Sequence, residues 1–253
     1  MPTATAVVAP VAPVARNTLI GLLPREDGRE LESLCRPVEL QAGEILQEAD
    51  APTRHVYFPV DALVGLFATL EHRPTVQVAM VGHEGLVGIQ LALGARSAPL
   101  MAMVQEGGTA LRADAEDFCD LFDASLALQA AAYRHAQITL RQLAASTACL
   151  HMHQLASRLA RCLLMAQDRL GPRSIHVTQQ FLADMLGVRR VGITAAAKEM
   201  QRSGLIDYSR GTLTVLDRQG LRAASCGCCK IDRMLFSTLL KPALVRQPSK
   251  PAR

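Results

Sequence analysis

Two adjacent arginines, Arg189 and Arg190, stand just past a glycine in the stretch "LADMLGVRRVGITAAAKEMQRSGLI" (182–206). A guanidinium is planar and forked. It can bond the O6 and N7 of one guanine together, which discriminates against other bases by about 1–3 kcal/mol. Lys198 and Arg202 follow on the same run, and their charges suit phosphate oxygens, which position a duplex without reading it. Gly192, Ala195 and Ala197 are small, as a helix lying deep in a groove requires. The chemistry these residues offer is recognition of a polyanion.

Other reactive residues point less clearly. "SCGCCK" places Cys226, Cys228 and Cys229 together, but without a fourth ligand three thiols make an awkward zinc or cluster site, so they read as reduced bystanders. In "HMH" (151–153) the two histidines are two residues apart, and such residues point in different directions on a helix. No spacing singles out His55, His72 or His83 as a haem ligand. The chain has no G-x-S-x-G, Walker-type loop or H-E-x-x-H, so catalysis is not expected and no metal site is assigned.

To aim the arginines, two helices must be held at a fixed angle. Thr178 can N-cap a helix beginning at Gln179. Leu182 and Leu186 are spaced to face inward, Ala183 is small where helices cross, and Gly187 suits a left-handed turn. Val188 fills the corner, and Ile193 and Ala196 face back. These correlated positions are the apolar skeleton of a helix-turn-helix. "DYSRGTLTVLD" (207–217) adds a hairpin, a wing with Arg210 at its tip.

Upstream, the texture changes twice. Residues 38–118 carry short alternating or β-branched runs, including "TVQVAMVG" (75–82), "PLMAMVQEGG" (99–108) and "TALRADAEDF" (109–118), which suggests a small antiparallel roll. From about Ser125 the chain reads as helix. Tyr133, Ala136, Leu140, Leu143, Thr147 and Leu150 form a mostly apolar heptad seam, read as a dimer contact. A bend is expected near His151–His153 and a helix break at Gly171-Pro172. The predicted class is α+β: an Ala/Pro/Val-rich disordered tail over 1–17, a β-roll sensor domain (18–124), a dimerisation helix and connector (125–170), a winged helix-turn-helix (171–225) and a C-terminal tail (226–253).

Composition agrees with this division. The 253 residues carry a net charge of +4, but up to Ala132 there are 8 Lys/Arg against 17 Asp/Glu, and from Tyr133 onward 19 against 6. The basic half suits a polyanionic partner. No apolar run approaches the roughly 18 residues of a membrane span, so no membrane partner is expected. The start lacks a basic region of the kind that opens a signal peptide. The seven cysteines are therefore read as reduced and the protein as cytoplasmic.

A β roll, a long helix and a winged helix-turn-helix resemble, in that order, the Crp/Fnr family of bacterial transcription regulators. The resemblance spans residues 18–225 and is sharpest in "VTQQFLADMLGVRRVGITAAAKEMQRSGLI…SRGTLTVLDRQGL". It implies a cyclic-nucleotide-binding-like roll and a homodimer on a two-fold symmetric operator in double-stranded DNA. It also implies a small-molecule effector, with RNA polymerase a further candidate partner. Arg190 falls on the family's guanine-reading arginine, Thr178 on a phosphate-touching threonine and Lys198 on a basic position of the recognition helix. With Gln179, Arg189, Thr194 and Arg210, these make the expected DNA-binding set. Val191 and Ala195 replace the family's other base readers, and Arg189 replaces a capping serine.

The sensor is divergent. Arg96 and Ser97 in "GARSAP" match the family's phosphate-binding run and are the candidate effector residues, but Leu86 stands where a ribose-binding glutamate belongs and Glu84 is two residues off. Leu143-Ala144 replace a purine-contacting pair. Cyclic AMP is therefore not expected as the effector. The N-terminal cysteine run of those family members that sense oxygen through an iron–sulfur cluster is also missing, which leaves the cofactor undefined. The competing expectation is a ligand-binding module that acts through protein contacts rather than DNA.

Overall fold

Helical spacing broken at Pro24 gives two short helices, α1 (Thr18–Gly21) and α2 (Arg25–Leu34). The computed structural model describes residues 17–70 and 73–241, so His72 and nearly all of the expected N-terminal tail lie outside the described residues. Asn17 is the exception and is no tail residue. It is buried, its Oδ1 accepts from Ile20 N, and its Nδ2 donates to the carbonyls of Pro59 and Gly85.

Seven strands follow: β1 (Arg36–Leu40), β2 (Ile45–Gln47), β3 (His55–Pro59), β4 (Leu63–Leu70), β5 (Arg73–Val81), β6 (Met101–Glu106) and β7 (Gly108–Asp114). They form two antiparallel sheets, ordered β1-β7-β3 and β2-β6-β4-β5. A short 3-10 turn spans Ile89–Leu93. The strand expected over 109–118 ends at Asp114, and α3 (Ala115–Ala124) takes over. Phe118, Leu121 and Phe122 are spaced for a helix and bury one face of it, with Glu116 and Asp117 in the first turn, where carboxylates meet free backbone N–H groups.

The long helix α4 (Leu126–Met152) starts on Ser125, whose hydroxyl accepts from Leu128 N. Its 27 residues reach about 40 Å. The expected bend separates it from α5 (Leu155–Leu170), which Gly171 ends with a φ of 72°. Then come β8 (Ile175–His176), α6 (Gln179–Leu186), α7 (Arg190–Arg202), β9 (Ile206–Ser209), β10 (Thr212–Val215), α8 (Arg218–Ala224) and α9 (Cys228–Leu239).

The segment 226–253, expected as a tail, thus contains a helix. Cys228, Asp232, Leu235 and Leu239 recur every three or four residues and face inward; Leu235 and Leu239 close over Ile138 of α4.

The Gly171-Pro172 break interrupts a helix without dividing the core. One continuous cluster joins Leu63, Phe67 and Met80 of the roll to Leu159 and Leu163 of α5. It runs on to Leu182 and Met185 of α6, Ile193 of α7 and Leu213 of the wing. Each fully buried side chain of this size contributes about 1.5–3 kcal/mol. The helix-turn-helix is therefore fixed by α5 behind it and by the roll beside it. Among the described residues, no helix is long and apolar enough to cross a membrane.

Candidate nucleic-acid interface

Thr178 caps α6, its Oγ1 accepting from Phe181 N at 3.1 Å. Leu182 and Ala183 are buried, while Leu186 is half-buried. Gly187 ends the helix at φ 62°, ψ 42°, a left-handed conformation that a Cβ would strain. Arg189 then turns extended and opens α7 without a side-chain cap, as expected where arginine replaces serine. Ile193, Ala197 and Met200, four and three residues apart, bury the back of α7. Arg189, Arg190, Val191, Ala195, Lys198 and Arg202 are left exposed.

Two of the small residues serve packing rather than groove depth. Ala197 lies in the core, and a Cβ at Gly192 would come within 2.9 Å of Leu155 Cδ2 on α5. Only Ala195 is small and outward-facing. Ala196, expected to face back, is half-buried against the core.

Thr194 Oγ1 donates to Gln179 Oε1 at 2.6 Å and so ties the first turn of α6 to the middle of α7. This brings Thr178, Gln179, Arg189, Arg190, Thr194 and Lys198 onto the surface of one helix pair. The wing pairs Ser209 with Thr212, leaving Arg210 (φ 50°) and Gly211 (φ 81°) as a two-residue tip with Arg210 exposed. Burial raises the Tyr208 phenol above its ordinary range, and the nearby Arg190 guanidinium opposes that shift. Arg202 pairs with Glu199 at 3.0 Å on the open surface. Arg189, Arg190, Lys198 and Arg210 have no ion-pair partner among the described residues.

Behind this face, the Phe181 ring meets Phe67 of the roll edge-on at 6.3 Å. His176 bonds Glu106 through its ring at 3.0 Å and its backbone N–H at 2.8 Å, and Arg173 reaches Asp61.

The sensor residues are dispersed. Glu84 is buried and pairs with Arg169 of α5 at 2.8 Å, so it is committed to the architecture. Leu86 is core, and its carbonyl accepts from His135 Nε2 at 3.1 Å. A Cβ at Gly85 would collide with the His135 ring. Burial pushes His135 down to about 4, while nearby Glu84 works in the opposite direction. His83 is also lowered by burial, and its Nδ1 lies 2.7 Å from Thr18 Oγ1. Between the roll and α4 lies an apolar cavity of about 120 Å³, lined by Leu66, Leu86, Leu100, Ala136 and Leu143, with Gln47 as a polar contributor. The Gln47 Nε2 donor is buried without a partner. Arg96 and Ser97 are exposed and do not line this cavity; Arg96 lies on another surface, near Cys119 and Tyr133.

On α4 the seam divides. Tyr133, Leu140 and Thr147 are exposed, but Ala136 is buried against the roll and Leu143 packs beside the roll's core. The exposed residues 133, 137, 140, 144 and 147 form the outward heptad stripe. Gln137 and Ala144 take the places that Ala136 and Leu143 were expected to hold.

Sequence reasoning also missed a grouping at the α4–α5 bend. The donor atoms of Cys149, His153, Cys226 and Cys228 all lie within 4.8 Å of one another. His153 is not on the helix at all. It caps α4 in an extended conformation, so the objection to "HMH" as a helical chelate does not apply to it. The available signal was Cys149 and His153, four residues apart at a helix end.

Residues 157–224 match the family of Crp-like helix-turn-helix domains. Among solved structures, FixK2 from Bradyrhizobium japonicum is similar, with 14% identity and a TM-score of 0.64 over 76% of this chain and 98% of that one. The c-di-GMP-responsive global regulator CLP of Xanthomonas campestris gives 15% and 0.60 over 77% of this chain and 100% of that one. A CRP/FNR-family transcriptional regulator from Thermus thermophilus gives 21% and 0.56 over 75% and 98%. No curated protein matches the sequence. The fold is thus that of Crp/Fnr regulators, as the order of elements implied. Within it, residues 157–224 carry a Crp-like helix-turn-helix, which supports a DNA-binding regulator and favours DNA over the protein-docking alternative.

Proposed function

We propose that this regulator works as an effector-modulated homodimer in the cytoplasm, without catalytic activity. Its two helix-turn-helix units would read a two-fold symmetric operator whose half-sites lie about one helical turn apart. The observation that carries this reading is the set of exposed cations without ion-pair partners among the described residues, Arg189, Arg190, Lys198 and Arg210, on a Crp-like domain. Arg190, at the front of α7, reads a base. Arg189, Lys198 and Arg210 anchor phosphates with Thr178, while Gln179 and Thr194 hold the two helices in register at the DNA. The stripe around Leu140 joins two chains, and RNA polymerase is the natural further partner of such a dimer.

The space between the roll and α4 does not suit cyclic AMP. An apolar space of about 120 Å³ is below the roughly 300–1,000 Å³ of ordinary ligand clefts and offers a cyclic phosphate no cation. It suits a small, largely apolar molecule with one acceptor for Gln47 Nε2, and it leaves Arg96 and Ser97 to any anion met at the surface.

Selection of bound duplexes from a random pool gives the operator, and two variants then test the roles. Arg190→Ala relaxes discrimination at one base position by about 1–3 kcal/mol. Lys198→Ala weakens all sequences alike and flattens the salt dependence by about one unit. If the two variants behave identically, the assignment of reader and anchor is wrong.

A further inference from the structure

Among the described residues, a group of metal-binding side chains lies where α4 meets α5. Cys149 Sγ is 3.5 Å from Cys226 Sγ, and Cys228 Sγ is 3.7 Å from His153 Nδ1. Cys149 sits in the last turn of α4, and His153 ends that helix in extended backbone. Cys226 follows α8, and Cys228 opens α9. The three thiols are buried against one another as a separate cluster rather than dispersed among aliphatic side chains.

This geometry is close to that of a tetrahedral metal site. Zn²⁺ binds thiolate at about 2.3 Å and imidazole at about 2.0–2.1 Å, so neighbouring donors stand about 3.6–3.8 Å apart. The two separations, 3.5 Å between sulfurs and 3.7 Å from sulfur to nitrogen, lie within about 0.3 Å of that edge length, and the whole donor set spans no more than 4.8 Å. The thiolates of an iron–sulfur cluster must straddle several irons and bridging sulfides, for which this span leaves no room. A Cys₃His set is also the soft, nitrogen–sulfur chemistry that selects zinc over magnesium or calcium.

We propose that Cys149, His153, Cys226 and Cys228 bind a single Zn²⁺ ion. Binding forms three Zn–S bonds and one Zn–N bond and releases three thiol protons to solvent, leaving a centre of net charge −1. Cations to balance that charge are in place. Arg161 lies beside Cys149 while forked onto Asp232 of α9 at 2.5 and 2.9 Å, and Arg158 lies within electrostatic reach of Cys149 and Cys226. Arg158 also donates to the carbonyl of Leu186, the last residue of α6. Residues 154–225, the connector and the whole reading unit, leave this point and return to it. The ion would therefore pin both ends of the DNA-reading unit to the end of the long helix.

The test is a titration of reduced, chelator-treated full-length protein with Co²⁺ and then Zn²⁺. One Co²⁺ per chain should bind with the visible bands of a tetrahedral ion and thiolate-to-metal charge transfer, and one equivalent of Zn²⁺ should bleach both. Cys228→Ser and His153→Ala should each weaken binding at least roughly tenfold. Cys229→Ser should bind like the parent, because Cys229 packs into the core of α5 and the reading unit. His153→Ala keeps every thiol and serves if a serine variant fails to fold. A six-coordinate cobalt spectrum, no stoichiometric uptake, an iron chromophore, a Cys149–Cys226 disulfide that re-forms in place of metal binding, or equal loss in Cys229→Ser would each overturn the proposal.

Discussion

Arg169 and Arg190 carry the same charge under opposite conditions. Arg169 is buried, bonded to Glu84 at 2.8 Å and to the Met165 carbonyl, with its guanidinium over the Phe236 ring at 5.3 Å. Arg190 is exposed at the front of α7, with no carboxylate facing it among the described residues. The first charge is satisfied within the chain and holds α5 to the roll. The second is left to a partner. The contrast holds more widely, because the buried charges of the roll, α5 and α9 come in pairs, whereas Arg189, Arg190, Lys198 and Arg210 have no ion-pair partner among the described residues. Removing a charge from one region should cost fold, and from the other only affinity.

The strongest way to break this comparison is to orphan a buried partner. Glu84→Ala leaves the Arg169 guanidinium uncompensated and should cost about 3–5 kcal/mol of stability, whereas replacing both residues by methionine should recover most of it. Arg190→Ala should stay within about 0.5 kcal/mol of the parent. Urea unfolding of the four proteins decides this. Equal losses for Glu84→Ala and Arg190→Ala would erase the distinction.

Protonation attacks the same junction. His135 titrates near 4 in the folded chain, against an ordinary 6.5. Below pH 6.5 the unfolded chain takes up a proton that the folded one refuses, so stability falls as the medium is acidified. This contribution is complete above 6.5 and gone below about 4, worth roughly 3 kcal/mol over that window. His135→Gln should flatten the dependence between pH 6.5 and 4. A variant that keeps the full slope would move its origin elsewhere.

The reading unit was far more legible in the sequence than the sensor. Thr178, Leu182, Gly187 and Ile193 form a local motif in which each position answers to a neighbour a few residues away, so spacing alone fixed their roles. The failures within the unit involved tertiary contacts. Gly192 meets Leu155 and Ala197 meets the core, and neither contact can be read from the helix itself. In the roll, Arg96 matched a local pattern, but the cavity is assembled from β2, β4, the segment around Leu86, and α4. Pattern therefore gave no view of which side chains would face it. The thiol cluster was hidden for the same reason, since its donors come from opposite ends of the reading unit.

The outward stripe of α4 ranks next. Leu140 is 63% and Tyr133 50% exposed on the same stripe of the single chain, and a contiguous apolar patch of this kind marks an interface. Leu140→Asp should weaken self-association at least tenfold, about 1.4 kcal/mol, in sedimentation. Ala136→Ser, on the roll side of the helix, should leave association unchanged. A parent chain that is monomeric at all concentrations would remove the dimer from the proposed mechanism.

The finest test lies within the reading unit itself, between two arginines that differ in having a carboxylate nearby. Arg210 stands alone at the wing tip, whereas Arg202 shares its charge with Glu199 at 3.0 Å. A cation that neutralises a phosphate displaces a condensed counterion and contributes about 0.9 to the slope of log affinity against log salt. A side chain already facing a carboxylate must give up that contact first, although an exposed pair is worth only about 0–1 kcal/mol. Arg210→Ala should therefore reduce the slope by nearly one unit without changing sequence preference, and Arg202→Ala should change it by less. Glu199→Gln supplies the converse, freeing Arg202 and steepening the slope. If Arg202→Ala flattens the salt dependence more than Arg210→Ala, then the carboxylate does not determine which arginines meet phosphate, and position along α7 must outweigh local pairing.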